Sequence, residues 1–293
     1  MTLPPETVPP TQPPQETIPS RSGVSEQPRE TKESKPKEQK ITFPVNVNTA
    51  SARELEALPG IGEKTLAKLK RVEEVSPDAV VITGDSVSAE QLRLLSALLR
   101  KLIPGDLPLV VTLGNHEFWG RTFEETLQKL KEQTIADKNI FYLDLIGNME
   151  LGGVNFVGGT LFFDGSMRIR ENQRVDEWDG WQDWRIVDIE SRYMEINACY
   201  VDMIRSKMKP GMPTALCSHH LPHERLNGHS PSHYNFYSGV KDLVHDLPFD
   251  PLYNNYLICG HTHRRVIGEV VPGFMGVNVG SEYGKMESYI LEL

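Results

Sequence analysis

Four apolar segments of this chain end in oxygen or nitrogen donors, and those donors are the first candidates for chemistry. Asp85 follows Val80-Val81-Ile82-Thr83-Gly84, and Asn115-His116 follows Leu109-Val110-Val111-Thr112-Leu113-Gly114. His219-His220 follows Ala215-Leu216-Cys217-Ser218, and His261-Thr262-His263 follows Tyr256-Leu257-Ile258-Cys259-Gly260. A carboxylate, an amide oxygen and imidazoles together suit borderline divalent ions such as Zn, Mn and Fe. Such an ion can act as a Lewis acid and generate a nucleophile from water. One histidine in such a place is more often a surface or supporting residue. The recurrence of the pattern argues for a shared site.

The elements that must position these donors follow from the apolar patterning. Each short apolar run reads as a buried strand, and apolar residues at helical spacing lie between the runs over Ala89–Leu102, Phe123–Gln133 and Val187–Met208. Pro104-Gly105 and Pro210-Gly211 close two of these helices. Ile140–Leu145 and Leu151–Phe163 read as further strands. Strands alternating with helices predict an α/β fold, in which sites form beyond the carboxyl ends of the strands. Gly114 allows a tight turn before Asn115.

Gly84-Asp85, Gly114-Asn115-His116-Glu117, Ser218-His219-His220 and Gly260-His261-Thr262-His263 resemble four of the five motifs of the calcineurin-like metallophosphoesterases, in the family's order, over residues 75–293. The resemblance implies two mixed β-sheets packed as a sandwich flanked by helices. It also implies that Asp85 bridges two metal sites. Asn115, His219 and His261 would complete one site, with His220 the alternative to His219, and His263 would join the other. His116 matches the catalytic histidine, which is not a metal ligand. Arg264 is a candidate contact for a phosphoryl oxygen, with a plain surface charge as the alternative. The family's opening Asp-x-His motif is missing, since no aspartate here has a histidine two places later. The expectation is one well-bound divalent transition metal (Mn, Fe or Zn) and a weak or empty second site. Hydrolysis of a phosphomonoester or phosphodiester should then be slower than in a complete family member.

The remaining chain is organised differently. Residues 1–40 are rich in Pro, Glu, Gln, Ser, Thr and Lys, a composition that predicts a disordered tail. Residues 43–72 contain Val45-Asn46-Val47-Asn48-Thr49-Ala50-Ser51-Ala52 and Leu58-Pro59-Gly60-Ile61-Gly62-Glu63-Lys64, which resemble a single helix-hairpin-helix unit of the ComEA kind. That resemblance implies DNA contact through backbone N–H groups at Gly60 and Gly62, with Lys64 adding charge. One hairpin makes few phosphate contacts, so such binding should be weak and salt-sensitive. The competing function is therefore a catalytically degenerate phosphoesterase domain acting as a DNA-binding module. A net charge of −9 argues against a broadly nucleic-acid-coating surface.

The 3 cysteines contain no Cys-x-x-Cys pair, and Cys217 and Cys259 fall inside predicted strands, where they act as small hydrophobes. No apolar run is long enough to span a bilayer and no basic-then-apolar leader opens the sequence, so a cytoplasmic protein without a membrane partner is expected. Residues 164–186 interleave Arg168, Arg170 and Arg174 with Trp178, Trp181, Trp184, Asp176, Asp179 and Asp183. They read either as a substrate lid or as a loop pinned down by its tryptophans. Of His223, His229, His233 and His245, most read as surface residues and His223 as a candidate substrate contact.

Overall fold

The computed structural model describes residues 75–103, 105–133, 138–176, 180–281 and 287–292. The predicted tail and hairpin, with Gly60, Gly62 and Lys64, lie outside the described residues, as do Trp178 and Asp179. Strands β1 (Val80–Thr83), β2 (Leu109–Thr112) and β3 (Ile140–Tyr142) pair in parallel in that order. A mixed sheet holds β4 (Asn148–Leu151), β5 (Val154–Gly159), β6 (Thr214–Ser218), β7 (Asn255–Cys259), β8 (Val266–Val271) and β9 (Phe274–Asn278). Its order is β4-β5-β6-β7-β9-β8, with β4 and β8 as antiparallel edges.

Side chains alternate across a strand, so each sheet has two faces to cover. Val81 and Val110 from the first sheet pack with Val154, Phe156, Ala215, Cys217 and Ile258 from the second, forming the layer between them. The opposite faces carry Leu109, Val111, Val157 and Leu216. These join the core cluster containing Leu95, Leu98 and Leu99 of α1 (Leu95–Leu102) and Ile196, Tyr200 and Ile204 of α4 (Ile189–Lys207). The architecture is thus two sheets face to face with helices outside. α2 (Phe123–Gln133) lies where the spacing predicts it.

Two predicted strands end earlier than their apolar runs. After β3 the chain turns into α3 (Leu143–Ile146), so Asp144 points inward. The Asp144 carboxylate accepts Leu113 N–H at 2.8 Å and Thr160 N–H at 2.7 Å, and it takes the Tyr200 hydroxyl at 2.5 Å. Burial raises the Asp144 pKa above the usual carboxylate range, while these donors pull it back. Beyond β5, Leu161 adopts φ +50°, and the run Leu161-Phe162-Phe163 is buried as irregular core instead of continuing the strand. The Asp144 network ties the exit of β2 to the exit of β5 and so fixes one sheet's site loop against the other. The helix expected over Ala89–Leu102 is composite: a 3-10 turn over Ala89–Leu94 precedes α1.

Candidate metal centre

The carboxyl ends of β1, β2, β6 and β7 meet at one rim of the sandwich. The chain leaves these strands through backbone conformations that L residues rarely adopt: φ is +50° at Asp85, +65° at His261 and +55° at His263. Such strain persists only where surrounding contacts impose it, and it concentrates at functional sites. Gly114 is required by proximity, because a Cβ there would lie 2.1 Å from Asp85 Oδ1 and 2.5 Å from Asp85 N.

Four donors converge. Asn115 Oδ1 lies 2.9 Å from His219 Nε2 and 3.3 Å from His261 Nδ1, and the two ring nitrogens are 3.2 Å apart. Asp85 Oδ2 stands 3.4 Å from His219 Nε2. The outer ring nitrogens decide the protonation. His219 Nδ1 lies 2.7 Å from Thr83 O, and His261 Nε2 lies 3.1 Å from Tyr237 O. A carbonyl can only accept, so those outer nitrogens carry the protons. Burial, with His220, His219 and His263 nearby, holds the His261 pKa well below the usual histidine range, so its ring is neutral. His261 Nδ1 therefore turns a lone pair toward the Asn115 amide oxygen, with His219 Nε2 and Asp85 Oδ2 beside them. That arrangement is repulsive unless a cation lies between them. Donors about 2.0–2.2 Å from a tetrahedral ion sit about 3.3–3.6 Å from each other, close to the spacings found here. Among the described residues no group of three or more His, Cys, Asp or Glu forms a cage by itself; the Asn115 oxygen completes this one.

Two buried carboxylates support the quartet. Glu117 accepts N–H bonds from Asp85 at 3.2 Å, Ser86 at 2.6 Å, Val87 at 3.0 Å and Gly114 at 2.9 Å, stapling the β1 and β2 loops together. Burial and the neighbouring Asp85 push its pKa up to about 8, against the pull of the N–H donors. Asp183 takes the Asn115 Nδ2–H at 2.6 Å and the Trp119 Nε1–H at 2.9 Å on the same oxygen. Burial raises the Asp183 pKa.

A cleft of about 360 Å³ opens on the quartet, and His116, His263 and Arg264 all line it. The His116 ring packs against Trp119 at a 32° tilt with centroids 3.9 Å apart, and its Nε2 lies 3.8 Å from Asp85 Oδ2. Burial lowers its pKa, partly offset by Asp85. His220 does not face the cleft. It is fully buried beside Phe162 and His261, and neither of its ring nitrogens has a hydrogen-bond partner among the described residues.

His223 is a correction: it is buried away from the cleft, caps the 3-10 turn Glu224–Leu226 and accepts Arg225 N–H at 3.1 Å. His229 is half-buried and lines the cleft, and its Nε2 donates to Thr262 O at 2.7 Å. The tryptophan loop is divided in its roles. Trp181 is buried and stacked on Tyr237, whereas Trp184 is 59% exposed. Sequence reasoning gave no role to Trp119 or Asp183. The alternation of Trp and Asp in residues 176–184 was the signal nearest to the latter.

The profile of the calcineurin-like phosphoesterase family matches residues 59–265, from within the predicted hairpin to just past the last motif. No match was found among curated proteins. Among solved structures, a phosphopantetheinyl hydrolase from Mycobacterium tuberculosis aligns over 70% of this chain and 79% of its own, at 15% identity and a TM-score of 0.51. A dimetal phosphatase from Danio rerio aligns over 74% and 76%, at 14% identity and a TM-score of 0.39. At 15% identity the likeness to the first of these is one of fold alone.

Proposed function

The chain belongs to the calcineurin-like phosphoesterase family, and we propose that it hydrolyses a phosphomonoester or phosphodiester with one tightly held divalent transition metal. Membership implies metal-dependent hydrolysis of phosphoesters; the ion count and the residue roles are our reading. The observation that carries it is the convergence of Asn115 Oδ1, His219 Nε2 and His261 Nδ1 beside Asp85. These four residues would hold the ion. When bound, it supplies positive charge to the phosphoryl oxygens and lowers the pKa of water. His116 stands at the cleft wall, its ring held against Trp119, and serves as proton donor to the leaving oxygen. Arg264, exposed at the mouth, orients the phosphoryl group.

Of the second site's donors, Asp85 and His263 are the candidates among the described residues. Two protein ligands leave most positions to water, so a second ion should bind weakly and turnover should be slower than with a complete pair. Mn²⁺ and Zn²⁺ titration of the apo protein, followed by an aryl phosphate assay, tests this. One ion retained through desalting, with turnover lost in His116→Ala, is expected. Turnover unchanged by chelation would refute the reading.

A further inference from the structure

We propose that Asp183 is a positioning residue that decides which end of the Asn115 amide faces the ion; the inference rests on the metal centre proposed above. An asparagine side chain presents an oxygen at one end and two N–H donors at the other, and a half-turn exchanges them. At this position the exchange is a particular hazard. The groups facing Asn115 are the ring nitrogens His219 Nε2 at 2.9 Å and His261 Nδ1 at 3.3 Å. A turned amide would point N–H groups, which cannot hold a cation, at the space between these nitrogens.

Asp183 opposes that turn. Its Oδ1 accepts the Asn115 Nδ2–H at 2.6 Å and the Trp119 Nε1–H at 2.9 Å, so it is committed as an acceptor. A turned Asn115 would set oxygen against oxygen there. The Asp183 side chain is itself buried, at 4% exposure, and it opens the 3-10 turn Asp183–Arg185. That turn is bound to the loop after β2 by Gly120 N–H to Arg185 O at 2.7 Å and Val187 N–H to Arg121 O at 3.0 Å. Just before it, Trp181 stacks on Tyr237, whose carbonyl takes the His261 Nε2 proton. The connection from β5 to α4 thus braces both the amide and one imidazole without contributing a donor to the quartet.

The test uses calorimetric titration of the full-length apo protein with Mn²⁺, and the visible spectrum with Co²⁺, for Asp183→Ala and Asp183→Asn in the wild-type and Asn115→Ala backgrounds. Asp183→Ala should weaken metal binding about 10–100-fold, as loss of an outer partner typically does, and should shift the Co²⁺ spectrum. Asp183→Asn keeps an acceptor oxygen and should restore affinity to near wild type. Asp183→Ala should cost nothing further where Asn115 is already alanine. Apo melting curves identify a variant that fails to fold. Wild-type affinity in Asp183→Ala, or the same loss with Asn115 already removed, overturns this inference alone. A wild-type protein that takes up no ion overturns the metal centre and this inference together.

Discussion

The strand ends and the β5–α4 connection contribute to the cleft in opposite ways. The ends of β1, β2, β6 and β7 supply Asp85, Asn115, His219 and His261, each within three residues of the strand that carries it. The connection supplies Asp183 and Trp181, which touch those residues or their neighbours and add no donor to the quartet. Asp183 reaches Asn115 across 68 positions of sequence. The contrast teaches that donor identity is a local property here, whereas donor orientation is set by a segment with no motif of its own.

The largest effect expected on this comparison comes from adjacent histidines. His219→Ala should lose more than about 100-fold in metal affinity, beyond the usual cost of an outer partner. His220→Leu should leave that affinity within about threefold, because a buried ring without hydrogen-bond partners is replaced by an apolar group. Equal losses, read by calorimetry, would break the distinction between the two. Next, His116→Ala should lower turnover of an aryl phosphate about 10²–10⁴-fold while metal affinity stays unchanged. A parallel loss of metal would make His116 a ligand.

Smaller effects separate position from stability. Gly114→Ala forces a Cβ onto Asp85 and should destabilise the fold by about 1–3 kcal/mol in urea denaturation, with weaker metal binding. Tyr200→Phe removes a donor to buried Asp144 and should cost about 1–2 kcal/mol with metal affinity retained. The smallest effect concerns acid. Burial lowers the His223 pKa below its ordinary 6.5, so the folded state resists a proton that the unfolded chain accepts. Its contribution is complete above about pH 6.5 and is lost as pH falls through the lowered folded value. His223→Gln should flatten the loss of stability between pH 7.5 and 5.5, measured by denaturant midpoints. An unchanged acid limb would place the titration elsewhere.

Much of the sandwich is legible in the sequence, because buried strands are short apolar runs and helices repeat at their own period. The exceptions have physical causes. Leu143–Ile146 carries apolar residues that suit a strand, yet it turns helical, and Asp144 gains four donors from Leu113, Thr160 and Tyr200. His223 is buried as a cap and His229 lines the cleft, and their loop has no periodicity that assigns a side chain to a face. Glu117 was visible as part of a motif, but its four backbone donors come from residues 85–87 and 114, which only folding brings to it.

The sequence by itself determined the kinds of donor and their seat at the carboxyl ends of strands, because both follow from residues adjacent in the chain. The tertiary structure decided which ring nitrogen of His219 and His261 points inward, that His220 turns into the core, and that Asp183 holds the Asn115 amide. Those choices depend on carbonyls, packing faces and carboxylates contributed by distant segments, and on the positive φ angles that their contacts enforce at Asp85 and His261.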